Sequence, residues 1–149
     1  MAALNPEPLN ARLIDALYTE SMLLADEARS YFEDRALGDR AHFDPLTRVG
    51  FSCESLKVTT RLMHIIAWLL ARRAVAAGEM GEGRRPGGRL GKAALSDTEA
   101  ITRFPEAARH LIAASSDLYA RIERLEEGQG ADAAPSPARA LLSRLERSI

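Results

Sequence analysis

Apolar residues recur along most of this chain at steps of three and four, the spacing of one face of an α-helix. The first such run spans roughly Asn10 to Asp34, where Leu13, Leu17, Leu24, Ala28 and Tyr31 share a stripe edged by Ile14 and Phe32. Residues Gly38 to Phe43 read as a connector. A second, stronger run opens at Asp44-Pro45, a favourable N-cap followed by proline at the first helical position. Within it Val49, Cys53, Leu56, Thr60, Met63, Ala67, Leu70 and Ala74 alternate steps of four and three, a heptad seam. Leu62, Ile66 and Leu69 form a second apolar flank, and Ile65 with Trp68 a third. A helix apolar most of the way round is expected to be covered from several sides. It is therefore the central rod, about 50 Å long if it runs unbroken to Ala77, with Gly78 placed to stop it.

The segment from Gly78 to Leu95 has no helical period and is rich in glycine, which predicts a flexible connector. Ser96-Asp97-Thr98-Glu99 has the form of a capping box and predicts a short helical segment ending near Arg103. Pro105 then opens a third long helix reaching about Glu127, with Phe104, Ala108, Leu111, Ser115, Leu118, Ile122 and Leu125 on one stripe. Gly128 to Pro137 reads as a linker. Ala138 to Ile149 carries Leu141, Leu142, Leu145 and Ile149 on one face and is too short to be a stable helix alone. Three stripes to bury imply an all-α fold: an antiparallel three-helix bundle over residues 10–127, with loop 78–95 between helices two and three, then linker and tail over 128–149. The central helix has more apolar circumference than two neighbours need, so a homodimer is expected. A charge at Leu70 in the seam should then unfold or monomerise the protein.

Composition narrows the class. The chain has 149 residues, suited to one domain, with a formal net charge of −1. That balance argues against a nucleic-acid binder and gives no electrostatic reason to adsorb to membranes. The beginning of the sequence has no basic and apolar leader pattern, and the longest apolar run is too short for a bilayer span, so a cytoplasmic location is expected. The first helix is acidic and the second basic, which favours their pairing weakly.

Candidate chemistry is sparse. His42, His64 and His110 are not spaced as metal ligands, and no carboxylate pair is placed with them. The single cysteine, Cys53, lies on the seam and reads as a buried, inert thiol. Gly87-Gly88-Arg89-Leu90-Gly91-Lys92 lacks the phosphate-loop spacing, because Ala93 follows the lysine and no strand precedes it. No catalytic, metal-binding or cofactor-binding residues are assigned. Two candidate interaction features remain. Glu54, Arg61 and Trp68 are spaced by seven and flanked by Lys57, Ile65 and Arg72, a face suited either to a partner or dimer contact or to packing on the chain's own bundle. Arg84, Arg85, Arg89 and Lys92 make the connector basic and able to steer an acidic partner.

The run Glu54-Ser55-Leu56-Lys57-Val58-Thr59-Thr60-Arg61-Leu62-Met63-His64-Ile65-Ile66-Ala67-Trp68-Leu69-Leu70-Ala71-Arg72-Arg73-Ala74-Val75-Ala76-Ala77-Gly78-Glu79-Met80 closely resembles the signature helix of the regulator of CtrA degradation (RcdA) family. Ala25 to Phe32 is similar to the end of that family's first helix, and Phe104-Pro105 with Leu111, Ser115, Leu118-Tyr119 and Arg121 to its third. The resemblance implies a dimeric three-helix bundle with a flexible tail, working as an adaptor for the ClpXP protease. In that role such a protein joins a protease primed by the response regulator CpdR. It brings cell-cycle substrates directly or through a cyclic-di-GMP-binding partner. The leading expectation is thus a non-enzymatic adaptor with protein partners and no cofactor. The alternative is a small-molecule or nucleotide sensor using the basic connector, and an enzyme would need a pocket of convergent polar groups.

Overall fold

The structure is a computed structural model that describes residues 6–78, 89–133 and 144–148. Its helices are α1 (Pro6–Ser30), α2 (Ala36–Arg40), α3 (Pro45–Ala76), α4 (Thr98–Ile101) and α5 (Glu106–Ala133), with a π-helical turn at Tyr31–Arg35 joining α1 to α2. The fold is all-α, with three long helices wrapped around one core.

The first run of apolar residues is a helix as expected, though Ile14 enters the core while Leu13 stays 42% exposed. Ser21 sits fully buried on the same stripe, its hydroxyl donating to the Leu17 carbonyl at 2.7 Å, so no polar atom is stranded. The predicted connector at Gly38–Phe43 is instead helical through Arg40. The π turn adds one residue to the winding. Tyr31 is buried against Phe32, with ring centroids 5.1 Å apart, and donates its hydroxyl to Asp39 at 3.0 Å. Arg40 donates to the Ser52 hydroxyl at 2.8 Å, so α2 is tied to α3. Burial and the Asp39 carboxylate push the Tyr31 phenol up to about 12. Phe32, Phe43 and Phe104 close around Phe51, with centroid separations of 5.7, 5.2 and 5.3 Å, and hold that end of the bundle shut.

α3 is the single rod the pattern predicts, 32 residues without a break. Asp44 caps it by accepting the Thr47 amide, and Pro45 stands in the first turn. Gly78 follows its end in the left-handed conformation at φ 74°, which suits a residue without Cβ. The heptad seam, however, faces outward. Val49, Leu56, Met63 and Leu70 are 61, 67, 65 and 46% exposed, and Cys53 is exposed rather than buried. The neighbours of α3 cover the opposite side, where Phe51, Val58, Leu62, Ile65, Trp68 and Leu69 form the core. Two stripes of equal period compete on this helix, and the neighbours take the bulkier one.

Helix direction also departs from a wholly antiparallel bundle. Asp15 meets Arg73 and Phe32 meets Phe51, so α1 runs antiparallel to α3. Glu20 pairs with Arg121 and Glu27 lies near His110, so α1 is antiparallel to α5 as well. Phe51 touches Phe104, Arg61 bonds Ser115 and Trp68 bonds Glu126, so α3 and α5 run parallel. A parallel pair needs a connection that returns the chain along the first helix. Residues 90–97 supply its last stretch.

α5 extends to Ala133, past the linker start expected at Gly128. Its whole predicted stripe from Phe104 to Leu125 is buried or half-buried. In the capping box the cap is Asp97, which accepts the Glu99 and Ala100 amides, while Ser96 serves elsewhere. Of the tail, Leu145 is exposed on a helical turn; Leu141, Leu142 and Ile149 lie outside the described residues.

Candidate functional site

The residues Glu54, Arg61 and Trp68 repeat every seven positions along one line of α3; the first two bond the returning chain directly, and Trp68 holds the Glu126 carboxylate that does so. Glu54 accepts the Asp97 amide at 3.0 Å and Lys57 at 3.1 Å. Arg61 donates through Nε and Nη2 to the Ala94 carbonyl at 3.0 and 2.6 Å, through Nη2 to the Ser96 hydroxyl at 2.6 Å, and through Nη1 to the Ser115 hydroxyl at 3.2 Å. The Trp68 indole donates to Glu126 at 2.7 Å, and the same oxygen accepts the Leu90 amide at 3.0 Å. Tyr119 donates to the Leu90 and Gly91 carbonyls at 2.8 and 2.9 Å. From Glu54 to Trp68 the helix rises about 21 Å, and the seven steps from Leu90 to Asp97 reach about 23 Å when extended. The returning strap therefore runs alongside α3 past all three clamps, with a left-handed turn at Gly91 (φ 81°).

Six of these ten bonds go to main-chain atoms of the strap. Only Ser96 is recognised by its side chain, and Leu90 is the strap's one deeply buried apolar anchor, 5% exposed. The electrostatics are those of a buried lock. Burial alone pushes the Glu54 carboxyl up, but the Asp97 amide, the Ser96 hydroxyl and Lys57 outweigh it, so Glu54 sits below the usual carboxylate range and stays charged. Burial pulls the Arg61 guanidinium down, and the Glu54 charge partly restores it. Burial, with Glu123 and Glu126 nearby, raises the Tyr119 phenol.

Of the two readings of the face carrying these residues, their burial favours packing on the chain's own bundle. Glu54, Arg61, Ile65 and Trp68 are 2, 1, 0 and 3% exposed, so they serve the chain's own packing and are not presented to a partner. Lys57 and Arg72 are half-buried beside them, Arg72 stacking over the Trp68 ring at 4.7 Å. Of the basic connector, Arg89 and Lys92 are exposed at the strap, and Arg84 and Arg85 lie outside the described residues. The clamps were legible as a pattern; their targets were not, because an amide or carbonyl of the strap leaves no mark in the sequence.

Among the described residues, the outer face of α3 exposes five large apolar side chains, from Leu46 (72% exposed) through Val49, Leu56 and Met63 to Leu70. A groove of about 370 Å³ lies along its edge between α1 and α3, walled by Ala25, Ala28, Phe32, Leu62, Met63 and Ile66, with Arg29 and Glu33 at the rim. A second, of about 320 Å³, lies between α3 and α4 beside Leu46, Gly50 and Phe104. The first lining is largely apolar, whereas the second sets Leu46, Val49 and Phe104 beside Asp97, Glu99 and Arg103. Among the described residues no three His, Cys, Asp or Glu side chains gather as metal ligands, and no helix is long and apolar enough to cross a membrane.

Three comparisons bear on these surfaces. No curated protein matches the chain. The solved structure "Crystal Structure of RcdA from Caulobacter crescentus CB15" is similar, at 29% sequence identity and a TM-score of 0.60 over 76% of this chain and 88% of that one. That likeness agrees with the resemblance carried by the signature helix. The model of the family DUF1465, described as a protein of unknown function, matches residues 6–149, so the chain belongs to that family and is RcdA-like.

Proposed function

We propose that this protein is a non-enzymatic adaptor in regulated proteolysis, working as a cytoplasmic homodimer that delivers cell-cycle regulator substrates to the ClpXP protease. The observation that carries this reading is its likeness to RcdA, at 29% identity over 76% of the chain. The exposed apolar face of α3 supports it independently. A helix that leaves five large apolar side chains from Leu46 to Leu70 in water is built for protein contact. The partners in this reading are ClpX, a response regulator that primes the protease, and substrate or adaptor proteins.

Reconstitution tests it. Purified ClpXP, a CpdR-type response regulator and a cell-cycle substrate should degrade the substrate several-fold faster when this protein is added. An unchanged degradation rate, together with no binding to ClpX, to the response regulator or to substrate in pull-downs, would remove the protease role.

A further inference from the structure

We propose that the outer seam of α3 pairs antiparallel with the same seam of a second copy about a two-fold axis, each large side chain seated over a small one; this rests on the homodimer reading above. The seam is two interleaved lines. One holds Val49, Leu56, Met63, Leu70 and Ala77; the other holds Leu46, Cys53, Thr60, Ala67 and Ala74. From Val49 to Ala74 one line is large and the other small. The ends invert this, with Leu46 large and Ala77 small.

In a parallel, in-register pair, each residue meets its own copy. Large layers at Leu56 and Met63 would then alternate with hollow layers at Thr60 and Ala67. No single spacing of the helices fits both, because packing at interior density tolerates neither voids nor overlap. Turning one helix end for end removes the conflict. With the axis between Arg61 and Leu62, Leu46 meets Ala77 of the second copy. Val49 likewise meets Ala74, Leu56 meets Ala67, Met63 meets Thr60 and Leu70 meets Cys53. Every layer then holds one large and one small residue, and the contact is self-complementary, as a two-fold interface requires.

The charges agree with this register. Beside the seam, Lys57 comes next to His64 of the second copy, Ser52 next to Arg73 and Thr59 next to Ile66. No lysine or arginine faces another, and α3 shows no exposed carboxylate on this side, since Glu54 is buried. The strip is about 46 Å long and about 10 Å wide, on the order of 900 Å² over both copies, the size of a weak but specific interface. The dimer is therefore expected to dissociate on dilution.

Cys53 supplies the test. Wild-type protein, whose one thiol is Cys53, is mixed with a Cys53→Ser/Leu70→Cys variant and oxidised with diamide. A disulfide between Cys53 of one copy and the Leu70→Cys thiol of the other should form in the mixture. Wild type alone should stay uncross-linked, because its two Cys53 residues lie about 25 Å apart along the pair. Self-cross-linking of wild type at an equal rate would overturn the antiparallel register. So would a dimer seen by sedimentation with no mixed cross-link.

A second measurement guards the packing claim. Ala67→Leu adds apolar surface at an exposed site, yet it should weaken dimerisation at least tenfold by colliding with Leu56 of the second copy. The swap Leu56→Ala/Ala67→Leu should restore it. Tighter association of Ala67→Leu would show a merely sticky surface and sink the proposal. A chain that is monomeric at about 100 μM would remove the homodimer and this pairing together, while the degradation assay would still decide the adaptor role on its own.

Discussion

Arg61 is the residue on which the interior turns. Its guanidinium reaches Ala94, Ser96 and Ser115 from 1% exposure, and its charge answers that of Glu54. Replacing it by methionine keeps much of the apolar stem but strands a buried carboxylate and several polar groups. Arg61→Met is expected to cost about 3–5 kcal/mol in chemical denaturation. Arg61→Lys should recover only part of this, because an ammonium cannot span the carbonyl and both hydroxyls as a planar fork does. Glu54 gives a pH signature. Its folded carboxyl lies below the ordinary range, so its contribution is complete at neutral pH and is lost as pH falls below about 4. Glu54→Gln should therefore be less stable than wild type at pH 7, with the gap narrowing in acid. A gap that stays constant between pH 7 and pH 3 would contradict the buried lock. At this scale the sequence was ambiguous for a physical reason. The repeat Glu54, Arg61, Trp68 is visible, but periodicity alone cannot say whether it faces strap or stranger.

Among the elements, the strap is the one whose length matters most. Its seven steps from Leu90 to Asp97 join the Trp68–Glu126 clamp to the Glu54 clamp. Lys92 is exposed, and among the described residues its side chain has no hydrogen-bond or ion-pair partner. Lys92→Ala should accordingly change stability by less than about 0.5 kcal/mol. Deleting Lys92 shortens the reach to about 20 Å, so one clamp must open, and a loss of about 2 kcal/mol or more is expected in the same denaturation assay. Equal stabilities for the two variants would show that the strap is slack. α5 was the most legible helix because it has a single apolar stripe, so the residues from Phe104 to Leu125 had one way to turn. Its end was misplaced because Gly128 weakens a helix by only about 1 kcal/mol, and no proline follows before Pro135. The π turn at Tyr31–Arg35 was invisible, since an extra residue in the winding leaves the apolar spacing nearly intact.

For the whole molecule, one rod with two apolar stripes sets everything else. The inner stripe of α3 and the strap force α5 to run parallel to α3, a direction that helix periodicity does not encode. The outer stripe is left in water. Leu56 and Leu70 are 67 and 46% exposed, so a charge there meets solvent and not core, which reverses the unfolding expected from the seam pattern alone. The most direct measurement is sedimentation equilibrium of wild type and of Leu56→Asp and Leu70→Asp, paired with thermal melting of each below the dimer's dissociation constant. Wild type is expected to pass from monomer to dimer as concentration rises, with both variants monomeric throughout and melting within a few degrees of it. Variants that dimerise as wild type does, or that unfold outright, would contradict an outer face of α3 made for contact.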